Sequence, residues 1–119
     1  MSDYKTLAVW RKSYALILSV YGATKNFPKD EQYGLTSQMR RAVISISANI
    51  AEGSGRGSNA DYVRFLRIAL GSAKELELYL MVTRDLGFLE PELFKELAPE
   101  TAEVLRMLNG FIQSLHPGD

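Results

Sequence analysis

The chain has 119 residues, the length of a single domain, and it contains no cysteine and one histidine, His116. The absence of cysteine removes disulfides, thiolate metal ligands and thiol nucleophiles. A lone histidine near the end of the chain argues against a Ser-His-Asp site and against paired Glu-x-x-His metal motifs. Fourteen basic residues balance fourteen acidic ones, so net charge points to neither a nucleic-acid nor a membrane partner. We therefore expect a protein that is not an enzyme and has no metal, cofactor or small-molecule substrate.

The cellular location follows from two further features of the sequence. Residues 1–5 lack the basic-then-apolar pattern of a signal peptide. No apolar run approaches the roughly 20 residues that span a bilayer. Together with the absence of cysteine, these features predict a soluble, cytoplasmic protein without a membrane partner.

Charge is distributed unevenly along the chain. Residues 1–67 carry ten basic and five acidic side chains, whereas residues 68–119 carry four basic and nine acidic ones. A folded domain could therefore have a basic side and an acidic side. Alternatively, antiparallel packing of the helices brings the two halves together and cancels the difference.

The first predicted helix covers residues 4–26 and ends before Pro28, because the residue that precedes a proline is pushed out of helical geometry. Apolar residues at three- and four-residue steps predict that its inner face is formed by Leu7, Trp10, Tyr14, Ile17, Leu18 and Tyr21. The second predicted helix covers residues 35–52. Its inner face is predicted to contain Leu35, Met39, Ala42, Val43, Ile46 and Ile50. Gly53 is expected to form its left-handed C-terminal cap.

The third predicted helix covers residues 59–86, between a Ser58-to-Asp61 capping pattern and the breaker Gly87. Its main stripe is Tyr62, Phe65, Leu66, Ala69, Leu70, Ala73, Leu76 and Leu80. The fourth predicted helix covers residues 90–115, and Pro99 in its interior predicts a kink or a short break. Its inner face is Leu93, Leu97, Val104, Leu108, Phe111 and Leu115. Four amphipathic helices with short connections predict one all-α domain over residues 1–119, an antiparallel up-down-up-down four-helix bundle.

The first three helices carry more apolar surface than the core of a single bundle needs. A second stripe lies opposite each predicted inner face and defines a candidate oligomer interface of Val9, Leu16, Val20, Ile44, Ala48, Ile68, Gly71, Tyr79 and Val82. Large apolar patches mark contact surfaces, so the pattern predicts self-association. Scattered apolar residues on the surface of a monomer are the alternative interpretation.

Five arginines cluster in the sequence around the junction of the second and third helices: Arg40, Arg41, Arg56, Arg64 and Arg67. Guanidinium groups match phosphate oxygens, so these residues are candidate contacts to RNA or DNA. The alternative is a structural role, in which they pair with carboxylates such as Glu52 and Glu75 at helix or subunit contacts.

Several segments resemble a known family. They are Leu7-Ala8-Val9-Trp10, Gln38-Met39-Arg40-Arg41-Ala42, Asn49-Ile50-Ala51-Glu52-Gly53, Gly55-Arg56 and Gly71-Ser72. In this order they are similar to the four-helix-bundle family associated with intervening sequences in bacterial 23S ribosomal RNA. The resemblance covers nearly the whole chain. Arg40, Arg41 and Arg56 match arginines of the family.

The resemblance implies a cytoplasmic homopentamer, and the family's association with ribosomal RNA implies an RNA-related role. A similar bundle is the accessory protein of diversity-generating retroelements, which binds nucleic acid through a basic pentamer surface. This chain departs from that type in being neutral overall. Two functions therefore remain open: a pentamer that binds nucleic acid through these arginines, and a protein-interaction scaffold in which the arginines are structural.

Overall fold

The computed structural model describes residues 3–115, and this part of the chain is helical and contains no strand. Its helices are α1 (Ala8–Thr24), α2 (Leu35–Ser54), α3 (Asn59–Asp85) and α4 (Pro91–Leu115), with short 3-10 turns at Tyr4–Thr6 and Lys29–Glu31. Each helix packs against its neighbours in the cyclic order α1, α2, α3, α4, and α1 closes the ring against α4. Helices joined by short connections run antiparallel. The predicted four-helix bundle is therefore confirmed.

The first helix begins later than the sequence predicts. Residues 4–6 form the 3-10 turn, and Leu7 is extended (φ −73°, ψ 131°) before α1 starts at Ala8. The Asp3 carboxylate accepts a hydrogen bond from the backbone N–H of Lys5 at 3.0 Å. This cap stabilises the turn as a separate unit, so the residues before Leu7 do not continue into the helix.

The hairpin between α2 and α3 depends on Gly53, but not in the predicted way. Gly53 lies inside α2, and its φ is not positive. A Cβ at this position would lie 2.7 Å from Tyr62 Cδ1 and 3.0 Å from Phe65 Cβ. Glycine is therefore required for the close approach of the two helices, and the prediction of a left-handed cap is wrong. After the loop, Ser58 Oγ accepts a hydrogen bond from the N–H of Asp61 at 3.1 Å, as the capping pattern predicts.

The junction between α3 and α4 is formed as expected. Gly87 has a φ of +81°, and the N–H groups of Phe88 and Leu89 donate to the carbonyl of Thr83. Helix α4 continues through Pro99 without the predicted break. The proline removes the hydrogen bond to the carbonyl of Lys95. Both residues are exposed, so that carbonyl remains accessible to water.

The core contains apolar residues from all four helices, including Leu16, Ile46, Leu76 and Leu108. The predicted inner face of α1 is only partly correct, because Leu7, Trp10 and Ile17 pack against this core but lie at the edge of the buried face. Val9, Leu16 and Val20, predicted to form an oligomer interface, are buried within the subunit, and Leu16 is only 3% exposed. Of the residues predicted to face inward, Tyr14, Leu18 and Tyr21 are exposed, Leu18 by 62%.

Two residues with hydroxyl groups explain why the spacing of apolar residues does not reveal the buried face of α1. Ser13 and Thr24 interrupt it, yet both side chains are buried. Ser13 Oγ donates to the carbonyl of Trp10 at 2.8 Å and lies 2.7 Å from Ser47 Oγ on α2. Thr24 Oγ1 donates to the carbonyl of Val20 at 2.8 Å. Because these hydrogen bonds satisfy the hydroxyls, the face can be buried at little cost, and the assignment of Val9, Leu16 and Val20 to the surface is wrong.

Candidate functional site

The outer faces of α2 and α3 hold four of the predicted interface residues at the surface. Ile44 and Ile68 are 42% and 44% exposed, and Ala48 and Gly71 are exposed as well. Ser72 Oγ donates to Ser45 Oγ at 2.8 Å. This hydrogen bond places Ser72 on α3 and Ser45 on α2 at the same position along the bundle axis. Ala48 and Ile68 each lie about one turn from that bond toward the interhelical loop, so they stand at the same level. We call Ile44, Ala48, Ile68 and Gly71 the α2–α3 patch.

Two members of this patch, Ala48 and Gly71, are small residues. Nothing lies within 4 Å of the position that a Cβ of Gly71 would occupy. Tyr79 and Val82, the other predicted interface residues on α3, are half-buried, and Tyr79 packs against the subunit's own core.

A second apolar surface runs along α1 and was not predicted. Tyr14, Leu18 and Tyr21 follow one another at steps of four and three residues and therefore share one face. Tyr14 stacks on Trp10, with ring centroids 5.1 Å apart. We call Tyr14, Leu18 and Tyr21 the α1 ridge. The sequence contained the evidence for this surface, because α1 carries two apolar stripes of helical period and only one of them can be buried in the core.

Two of the five candidate arginines are paired inside the subunit, at the loop end of the α2–α3 hairpin. Arg56 Nη2 lies 3.3 Å from Glu52 Oε2, and Arg64 Nε lies 3.0 Å from Asp61 Oδ1. Both guanidinium groups also lie over the ring of Phe65, 4.6 and 4.5 Å from its centroid. The pairs are exposed and individually weak, but the cluster is neutral. Its arginines are oriented by their own chain.

Arg40 and Arg41 lie at the other end of α2. Arg40 Nε donates to Thr24 Oγ1 at 2.9 Å, and its guanidinium lies 4.5 Å from the centroid of the Tyr21 ring. Arg41 and Arg67 are exposed, and neither forms an ion pair or a side-chain hydrogen bond within the described residues. Arg41 lies thirteen residues before Ser54, the last residue of α2, which corresponds to roughly 20 Å, and Arg56 lies just beyond that end. The five arginines therefore do not form the single patch that their proximity in sequence predicts.

A groove at the start of α2 brings arginine and tyrosine side chains together. Its volume is about 410 Å³, and it is lined by Tyr21, Gln32, Tyr33, Thr36, Ser37, Arg40, Arg41 and Ile44. Tyr33 is 89% exposed. We call this feature the Tyr33 groove. Sequence reasoning missed it because the exposure of an aromatic side chain in a turn has no local signature.

The basic and acidic halves of the sequence meet between α1 and α4. Lys12 Nζ lies 2.8 Å from Glu103 Oε1 and 3.7 Å from Glu100 Oε2. The hydrogen bond from Lys12 lowers the pKa of the Glu103 carboxyl, and the same bond raises the pKa of Lys12. At this contact, antiparallel packing combines the two charge classes, as the second interpretation of the charge distribution predicts.

Between residues 3 and 115 no group of three or more His, Cys, Asp or Glu residues could hold a metal ion. In the same range no helix is long and apolar enough to cross a membrane.

The fold and these surfaces define an up-down-up-down four-helix bundle with exposed apolar residues on α1, α2 and α3 and with separated arginine clusters. Residues 5–110 match the family model of the 23S rRNA-intervening sequence protein, and the chain belongs to this family. Its structure is similar to the crystal structure of a protein of unknown function from the S23 ribosomal protein family of Bacteroides thetaiotaomicron VPI-5482. The two share 28% identity and a TM-score of 0.81, over 89% of this chain and 99% of that one. No significant match was found among curated proteins.

Proposed function

We propose that this protein is a non-enzymatic, cytoplasmic bundle that assembles with copies of itself into a closed ring and binds RNA or other nucleic acid. The observation that carries self-association is the presence of two different apolar surfaces, the α1 ridge and the α2–α3 patch. A two-fold dimer joins one surface to itself, whereas a ring joins two different surfaces head to tail. The resemblance to the family supplies the number of subunits, five.

The shapes of the two surfaces support this pairing. The α1 ridge presents large side chains, Tyr14 and Leu18, on one face of a helix. In the α2–α3 patch, Ala48 and Gly71 leave room between Ile44 and Ile68 for such side chains to enter. Burial of the exposed part of these residues contributes about 25 cal/mol for each Å² of apolar surface.

The arginines divide between the two functions that the sequence left open. Arg56 and Arg64 fit the structural role, because Glu52 and Asp61 already neutralise them and Phe65 orients them. The exposed Arg41, which has no ion-pair partner within residues 3–115, fits contact with phosphate. Repetition around a ring multiplies such a contact.

The assembly can be tested with two variants that each damage one surface. Light scattering and sedimentation at micromolar concentration should give five times the 13.3 kDa chain mass for the unaltered protein. Leu18→Ser and Ile68→Ser should each yield monomers that retain helical circular dichroism. Ala15→Ser, an exposed position of α1 outside the ridge, should keep the native mass.

Mixing the two variants distinguishes a ring from a two-fold dimer. The Leu18→Ser subunit keeps an intact patch and the Ile68→Ser subunit keeps an intact ridge, so the mixture should form a heterodimer through one native contact. A monomeric unaltered protein, or a mixture that stays monomeric, would refute head-to-tail association. Nucleic-acid binding is tested by purification without nuclease, followed by the ratio of absorbance at 260 and 280 nm. Binding at ~50 mM salt should weaken steeply toward ~200 mM salt.

A further inference from the structure

We propose that the Tyr33 groove is a binding site for single-stranded nucleic acid, in which Tyr33 stacks on a base and Arg41 contacts a phosphate. This inference rests on the nucleic-acid part of the proposed function and gives it a location and a class of ligand. It contains Arg40 and Arg41 of the five predicted arginines and excludes Arg56 and Arg64, which lie at the other end of the α2–α3 hairpin.

Tyr33 has the properties of a stacking platform. Its side chain is the most exposed large hydrophobic one in the described range, at 89%, so packing within the subunit does not explain an aromatic residue here. It lies in the tight turn between the 3-10 turn Lys29–Glu31 and Gly34, which fixes its backbone beside the first turn of α2. Aromatic rings stack on every base, since every base has a π face.

The walls of the groove provide the other contacts that a nucleotide needs. Arg40 is held in place by Thr24 Oγ1 and by the ring of Tyr21, so its orientation is fixed before any ligand binds. Thr36 and Ser37 also line the groove. A volume of about 410 Å³ lies within the range of small-molecule sites.

The electrostatic surroundings favour an anion. A neighbouring cavity of about 220 Å³ is lined by Lys25 and Lys29 together with Arg40, which gives a basic track along this end of the bundle. Asp30 and Glu31 are the carboxylates of the adjoining turn. Glu31 Oε1 accepts a hydrogen bond from the N–H of Leu35 at 3.2 Å and so serves the start of α2.

These features favour a single strand over a duplex. Stacking on Tyr33 requires an unpaired base, because the bases of a duplex stack on one another. Tyr21 of the α1 ridge and Ile44 of the α2–α3 patch also line the groove, so it borders both proposed subunit contacts, and the test includes the oligomeric state.

The site can be tested by fluorescence anisotropy with labelled 12-nucleotide probes at ~50 mM salt. The probes are oligo(U) RNA, oligo(dT) DNA and an RNA hairpin whose bases are paired. Tyr33→Ala should weaken binding of single strands about tenfold or more, the range for loss of one base stack. Tyr33→Phe should bind like the unaltered protein, because the ring remains. The hairpin should bind more weakly than the single strands.

Arg41→Gln and its matched control Arg67→Gln test the phosphate contact. Arg41→Gln should weaken binding and reduce the slope of log affinity against log salt by about 1. Arg67 is also exposed and also lacks an ion-pair partner within residues 3–115, but it lies outside the groove. Arg67→Gln should therefore leave the affinity for the probes unchanged. Equal loss in both variants would show binding by general charge and overturn the site.

Three further results would overturn the proposal in distinguishable ways. If Tyr33→Ala binds single strands as tightly as the unaltered protein, the groove is not the site, although nucleic-acid binding itself stands. If Tyr33→Ala dissociates the oligomer, Tyr33 belongs to the subunit contact. If the unaltered protein binds none of the three probes, the nucleic-acid part of the proposed function fails along with this site. The RNA and DNA probes separate the two sources of single strands.

Discussion

The Gly53→Ala substitution tests the closest contact between α2 and α3. In an open helix, alanine is more favourable than glycine by about 1 kcal/mol. Here the added Cβ would lie 2.7 Å from Tyr62 Cδ1 and 3.0 Å from Phe65 Cβ. Rotation of Tyr62 away from this Cβ would disturb the edge-on contact between its ring and that of Phe111, whose centroids are 5.3 Å apart. Overpacking of this kind costs about 1–3 kcal/mol, so we expect net destabilisation of about 1–2 kcal/mol.

Gly110→Ala is the matched control for this substitution. Gly110 lies within α4, and nothing is within 4 Å of the position that its Cβ would occupy. The Gly110→Ala substitution should therefore stabilise the protein by about 0.5–1 kcal/mol. Urea unfolding followed by circular dichroism measures both changes, at one protein concentration, since association shifts apparent stability. Stabilisation by Gly53→Ala, equal to that by Gly110→Ala, would refute the close-approach explanation.

Three other changes in unfolding free energy follow from the structure. Ser13→Ala should cost about 1–3 kcal/mol because it leaves the Ser47 hydroxyl buried without its partner, and the double substitution of both serines should cost less than the sum of the single ones. Ser58→Ala removes the cap of α3 and should cost about 1 kcal/mol. Leu16→Ala should cost about 2–5 kcal/mol, whereas Leu18→Ala, two residues away and exposed, should change the stability of the subunit little. Equal costs for the two leucines would contradict the orientation of α1.

Most of the fold could be predicted because its signals are local. The Ser58 cap, the Gly87 stop and the prolines near the helix ends act within one turn of the chain, and the apolar period of α4 has a single solution. The role of Gly53 could not be predicted in this way. Its neighbours Tyr62 and Phe65 belong to the next helix, and sequence spacing does not show how closely two helices approach.

The arginines show the same division between local and tertiary information. The pairs Glu52–Arg56 and Asp61–Arg64 have helical spacings of four and three residues, so their neutralisation could have been inferred from sequence. The location of Arg41 beside the exposed Tyr33 could not have been inferred from the sequence. It depends on how the turn before α2 folds against the end of α1.

The orientation of α1 links the core to the surface on which association depends. Both of its stripes have helical period, so apolarity alone does not decide between them. Ser47 on α2, which lies 2.7 Å from Ser13, and the carbonyls of Trp10 and Val20 satisfy the two hydroxyls of the buried face, so that this face can be buried at little cost. This orientation of α1 leaves Tyr14, Leu18 and Tyr21 exposed at the surface. Hydrogen bonds in the core therefore permit the orientation that exposes these residues of α1, and the surface proposed for association is more aromatic than the sequence predicts.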